Sequence, residues 1–305
     1  MRLILYCTYV AANEIVEVSV EAERLGFDGI SFPDHVVFPL DHRSEYPYTK
    51  DGSTPWDEWM DFPDPFAVMG AVAAATQRLQ LLTGILVLPL RHPLLTAKAT
   101  ATIDVLSGGR LALGIGVGWL REEFEALGVN YRRRGRMTDE AVELLRRLWS
   151  GQPTAHEGEN YSFPALTVQP AATGKIPIYV GGTSEAALRR AARLGDGFIP
   201  TVGTSDETRA MLERVAHLRH EYGREDVPFE VVASAASVDK AEELNKLEEI
   251  GITSVRVDPF APYHQRYGDL TMSQRMEALE RYAAEVIRPL RSPPDGPPSN
   301  PSPLD

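Results

Sequence analysis

The chain has 305 residues, 43% of them hydrophobic, and a formal net charge of −12. That length can bury a large core, while the negative balance excludes nucleic acid and acidic lipid, which bind through clustered Lys and Arg. One cysteine, Cys7, excludes an internal disulfide framework, and with no long apolar run the expectation is a cytoplasmic protein that acts on a small molecule.

Short β-branched runs, each followed by a helical pattern that often closes on glycine, recur along the chain and predict parallel strands. The first strand is read at Leu3 to Cys7, and Ile15, Val18, Ala22 and Leu25 form the apolar stripe of a helix that Gly26 stops. Strand two is Gly29 to Phe32. A long loop follows, and Asp64-Pro65 then starts a helix with a carboxylate cap and a first-turn proline. Strand three is Leu79 to Leu86, a helix runs from Pro93 to Leu106, and Gly108-Gly109 leads into strand four, Arg110 to Ile115. A short helix from Leu120 to Leu127 ends on Gly128.

Residues 129–175 break the rhythm with an amphipathic helix around Glu140 to Trp149 and a hairpin around His156 to Phe163, read as an insertion after strand four. Strands five to eight are placed at Pro177 to Val180, Gly197 to Pro200, Phe229 to Ser234 and Ser254 to Val257. Eight units predict an α/β fold of the closed (β/α)8 TIM-barrel kind, a single domain over residues 1–291. The Pro-rich tail from Ser292 to Asp305 is expected to be disordered. A doubly wound dinucleotide fold fits less well, because Gly114-Ile115-Gly116-Val117-Gly118-Trp119 puts Trp119 where the third fingerprint glycine belongs.

In such a barrel the loops after the strands build the active site. Strand two is followed by Pro33-Asp34-His35, either a buried hydrogen-bonded pair or a proton donor and acceptor beside a bound ring. Strand three holds Thr83-Gly84-Ile85, where the glycine marks a bulge or the approach of a ligand. After strand four, Gly114, Gly116 and Gly118 alternate around Val117 and leave one face without side chains, with Trp119 as a wall. After strand five, Gly181-Gly182-Thr183-Ser184 opens a helix, which makes either a plain hydroxyl cap or a phosphate site of free amides.

The loop from Val36 to Asp61 carries Tyr46, Tyr48, Trp56 and Trp59, which suits a lid over a planar substrate if the loop is ordered. The cluster Arg132-Arg133-Arg134 with Arg136 reads as a solvated turn or as a contact for an anionic cofactor tail. His217 and His220 lack a third metal ligand, Cys7 reads as a small buried apolar group, and no serine sits in a nucleophile elbow.

Three blocks, Leu82 to Pro89, Asp104 to Arg110 and Gly114 to Phe124, resemble the bacterial luciferase-like superfamily. Together with Tyr179 to Gly182 and Ala192 to Gly197, they look most like its coenzyme F420-dependent oxidoreductases. The resemblance implies a ring across the strand ends, a phosphate at Gly181 and Gly182, a non-proline cis peptide at Gly84-Ile85 and a homodimer. It also implies that Asp34 and His35 handle a proton during hydride transfer between F420 and an organic substrate. The alternative it leaves open is a two-component monooxygenase that uses reduced FMN and oxygen.

Overall fold

The computed structural model describes residues 1–8, 10–56, 58–200, 205–235, 238–261 and 270–291. The expected disordered tail lies outside them. In chain order the strands are β1 (Arg2–Tyr6), β2 (Gly29–Phe32), β3 (Gln80–Val87) and β4 (Leu111–Gly116), then β5 (Thr154–Glu157) and β6 (Ser162–Leu166). The remaining strands are β7 (Ile178–Gly181), β8 (Gly197–Ile199), β9 (Glu230–Ser234) and β10 (Ser254–Val257). All but β5 and β6 join in one closed parallel barrel, sealed where β1 pairs with both β2 and β10. The chain is therefore a (β/α)8 barrel.

Local signals place the outer helices. α1 (Ile15–Leu25) stops at Gly26, whose φ of 97° is left-handed backbone that a side chain disfavours. α2 (Pro65–Ala75) starts where the Asp64 carboxylate accepts the amides of Phe66 and Ala67 at 2.9 and 3.1 Å. α3 (Pro93–Ser107) ends on Gly108, and the chain continues through α4 (Arg121–Ala126) and α5 (Arg134–Leu148). After the hairpin come α6 (Glu185–Leu194), α7 (Ser205–Glu221), α8 (Ala241–Glu249) and α9 (Met272–Tyr282). A π turn over residues 283–287 then leads into α10 (Arg288–Arg291).

The expected insertion over residues 129–175 needs correction. α5 packs between α3 and α6, and the Trp149 indole donates to Thr100 Oγ1 of α3 at 2.9 Å. It is thus the barrel's fourth outer helix; the additions are the short α4 and the antiparallel hairpin β5–β6. The sequence reading went astray because α4, which ends on Gly128, meets the same helix-then-glycine pattern.

Alternation sorts the barrel strands into an outward face packed on helices and an inward one. Inside, Ile4, Leu82, Ala112, Tyr179, Ile199 and Val232 form one buried layer. Above it β3 departs from regular pairing: Thr83 pairs with Leu113 but Leu86 pairs with Ile115, so β3 carries one extra residue. The bulge turns Ile85 inward onto that layer, and the Gly84-Ile85 peptide is cis.

Candidate active site

Asp34 and His35 leave β2 together but make separate attachments. Asp34 is buried, and its carboxylate accepts Arg91 Nη1 at 2.6 Å, Arg91 Nη2 at 2.8 Å and the Val87 amide at 2.9 Å. Burial pushes the Asp34 carboxyl above its ordinary range, against the pull of Arg91 and that amide. Although burial opposes its charge, Arg91 is held above its ordinary value by Asp34 and Asp64. The forked pair ties the end of β2 to the end of β3.

The partner of His35 is Glu123 of α4, whose Oε2 lies 3.0 Å from Nδ1. Glu123 is 1% exposed, and its Oε1 accepts the amides of Val36 at 2.6 Å and Val37 at 3.3 Å. A carboxylate facing Nδ1 keeps a hydrogen on that nitrogen and leaves Nε2 for exchange. Nε2 has no hydrogen-bond partner among the described residues. The expected proton-handling pair therefore divides: Asp34 is a strut, and the dyad is His35 with Glu123.

Aromatic rings enclose His35. Its imidazole meets Phe62 at 5.1 Å, Phe38 at 5.6 Å, Trp119 at 6.0 Å and Trp56 at 6.1 Å between centroids. Tyr46 bridges Trp56 and Trp119 at 5.1 and 5.2 Å, and burial, helped by the nearby Tyr6 and Tyr48, pushes its hydroxyl upward. α4 fastens this loop, because Glu122 accepts the Arg43 amide at 2.8 Å and the Arg121 amide donates to Ser44 Oγ at 3.1 Å. Trp59, also expected in the lid, is 79% exposed. The Val36 to Asp61 sequence placed four aromatics in the loop but could not say which turn inward.

The glycine face is real but differently used. A Cβ on Gly116 or Gly181 would strike the Ile85 side chain, and one on Gly114 would strike Ile199 at 2.7 Å. These glycines form a socket for Ile85, which fills the expected gap with a half-buried apolar surface. Gly118 does not belong to that face; its φ is 81°, and a Cβ there would meet Phe124 and Val87 at 2.7 Å. Val117 lies half-buried beyond the strand end. Thr83 is buried, and its hydroxyl donates to the Gly114 carbonyl at 2.8 Å, tying β3 to β4.

At β7, Gly181 and Gly182 are buried and Thr183 and Ser184 exposed. Ser184 caps α6 by accepting the Ala187 amide at 3.3 Å, and Gly182, at φ 124°, brings the turn against Ala187. The cap is real, and it satisfies only one of the first-turn amides that a helix start leaves without an intrahelical partner. The arginine cluster is largely engaged. Arg133 and Arg136 lie 3.2 and 3.6 Å from Glu159, while Arg134 donates to the carbonyls of Gly118 and Tyr131. Arg132 is exposed.

Elsewhere, burial pushes the Cys7 thiol up to about 12, which keeps it an inert apolar group. His217 and His220 lie 3.0 and 3.1 Å from Glu221 and Glu225.

Sequence reasoning missed Glu123, Arg91 and Arg256. The first two act on residues distant in sequence, and only folding brings them together. Arg256 carried a signal: a charge at an inward position of the apolar β10 run, Ser254-Val255-Arg256-Val257.

Residues 5–286 match the luciferase-like monooxygenase family. An uncharacterized protein of Mycobacterium tuberculosis is 35% identical over 272 residues, which span 89% of this chain and 94% of that one. The F420-dependent glucose-6-phosphate dehydrogenase of Segniliparus rotundus is 34% identical over 220 residues, covering 70% of this chain and 61% of that one. Among solved structures, the monooxygenase RslO1 from Streptomyces bottropensis superposes with a TM-score of 0.74 at 20% identity. That superposition covers 94% of this chain and 99% of RslO1. A closed barrel with its polar dyad at the strand ends is the architecture of an oxidoreductase here, and the chain belongs to the luciferase-like monooxygenase family.

Proposed function

We propose that this protein moves a hydride between the deazaflavin coenzyme F420 and an organic substrate. The observation that carries the proposal is the His35–Glu123 dyad, whose Nε2 has no hydrogen-bond partner among the described residues, at the mouth of a barrel floored by Ile85. The relative at 34% identity is named for F420, whereas the monooxygenase at 20% identity supports the fold alone.

The residues present fit such a coenzyme. Gly116 and Gly181, where a Cβ would strike Ile85, leave with Ile85 an apolar cradle at the strand ends. The Gly182 amide already donates to the Ile199 carbonyl, so the amides of Thr183, Ser184 and the first turn of α6 would hold a phosphate, as helix starts do. Gly84, Ile85, Gly116 and Val117 would support the ring, with Thr83 bracing them from behind. When bound, the coenzyme supplies the hydride donor or acceptor. Glu123 fixes the His35 ring through Nδ1, so that Nε2 can give or take the substrate's proton. Tyr46, Trp56 and Trp119 cover the mouth and exclude water.

An anaerobic titration with F420 and with reduced FMN, followed by admission of air, tests this reading. F420 is expected to bind more tightly, with no oxygen consumed. Preference for FMN together with oxygen uptake would overturn it in favour of a flavin monooxygenase. With a substrate found by screening organic alcohols, enones and acids, His35→Ala is expected to lower kcat about 10²- to 10⁴-fold and leave F420 affinity nearly unchanged. Equal loss of both would make His35 structural.

A further inference from the structure

The upper inward layer of the barrel is divided. Gly114 and Gly116 on β4 and Gly181 on β7 form the socket for Ile85, and the opposite side carries Tyr6, Ser31, Ser234 and Arg256. Arg256 is 6% exposed, yet among the described residues no carboxylate pairs with it. Its Nη1 donates to the Gly84 carbonyl at 3.0 Å and its Nη2 to Ser234 Oγ, both neutral acceptors. The guanidinium lies 5.4 Å from the Tyr6 ring centroid. Among the described residues its Nε has no hydrogen-bond partner, and neither has the fully buried Ser31 Oγ.

These groups converge. A Cβ on Gly84 would come within 2.7 Å of Arg256 Nη1 and closer still to Ser31 Oγ. Tyr46 of the aromatic loop lies close enough to act electrostatically on Arg256, which burial holds below its ordinary value. An arginine has five N–H donors, and two are used here. A buried cation without a counter-ion is costly unless something supplies the charge, and a buried hydroxyl without a partner adds to that cost.

We infer that Arg256 and Ser31 form an anion subsite that takes the carboxylate of the substrate, reached when Tyr46 moves aside. The inference deepens the redox reading above and rests on it for the word substrate. A planar carboxylate matches the guanidinium fork, and Ser31 supplies a further donor. A dianionic phosphate fits less well, because Arg91, a second guanidinium near the strand ends, is already held by Asp34.

The test is calorimetric titration of the ligand-free protein with benzoate, benzyl alcohol and inorganic phosphate. Benzoate is expected to bind at least about tenfold more tightly than benzyl alcohol and more tightly than phosphate, and Arg256→Met is expected to abolish that preference. Ser31→Ala removes a group with no partner, so it is expected to fold, checked by circular dichroism, and to weaken benzoate severalfold. It carries the test if Arg256→Met fails to fold. Equal affinity for benzoate and benzyl alcohol, tighter phosphate binding, a benzoate preference that survives in folded Arg256→Met, or benzoate affinity undiminished in Ser31→Ala would overturn the inference. F420 titrated separately keeps the two readings apart. Binding of F420 without a benzoate preference removes the subsite alone, and an Arg256-dependent benzoate preference without F420 binding removes the coenzyme reading alone.

Discussion

Ile85 shows how much one side chain can decide. It enters the mouth because of one extra residue in β3 and stays there because Gly114, Gly116 and Gly181 lack a Cβ. Gly116→Ala would press a methyl group into Ile85 Cδ1, and overpacking of this kind costs about 1–3 kcal/mol. The double variant with Ile85→Ala is expected to recover part of that loss, since residues in contact couple. Urea unfolding of the four proteins in the cycle measures it, and additive losses would show that the contact is not limiting. The sequence displayed these glycines but suggested room for a ligand; only the packing shows a neighbour's side chain occupying much of it. Asp34 is a similar case. Its position after β2 was legible, but its attachment to Arg91 depends on two loops meeting in space.

At the level of elements, side chains of two helices fasten loops whose own sequences offer little core. Glu122 and Glu123 of α4 hold the aromatic loop, and Glu140 of α5 holds the hairpin. Glu140 accepts Asn160 Nδ2 at 2.6 Å and the amides of Asn160 and Tyr161 at 3.1 and 3.2 Å, and it lies 2.8 Å from His156 Nε2. Glu140→Gln is expected to speed hydrogen exchange in β5 and β6 about tenfold or more and to leave β1 to β4 unchanged. Exchange that rises equally in the barrel would show that the hairpin is no separate unit. Burial opposes the Glu140 charge, but bonds from His156, Asn160 and Tyr161 outweigh it and hold its carboxyl below the usual range. Such a group stabilises the hairpin above its unfolded pKa, and the stabilisation fades as pH falls through the depressed one. In the wild type, then, hairpin exchange is expected to accelerate on the acid side of the ordinary glutamate range.

Across the whole molecule, the barrel's two ends do different work. Asp196 lies at the end opposite the dyad, where its Oδ2 accepts the Ile178 amide at 3.0 Å and Arg146 Nη2 at 2.9 Å, with Lys175 beside Oδ1. Burial raises its carboxyl, but Lys175, the amide and Arg146 prevail and hold it below its ordinary value. Its stabilisation is therefore complete above the unfolded aspartate pKa and is lost as pH drops through the lower folded one. Asp196→Asn is expected to cost about 1–3 kcal/mol at neutral pH and to flatten the acid limb of the thermal melting profile. An unchanged acid limb would assign acid unfolding to other carboxylates. The sequence by itself determined the count and order of the barrel strands, most helix ends and the strand termini that face the site, because periodicity, caps and glycine stops are local. Tertiary structure alone decided which helix completes the ring, that Glu123 rather than Asp34 serves His35, and that Arg256 is buried with no counter-charge among the described residues. Those contacts join residues far apart in the chain, and only closure of the barrel fixes the distances between them.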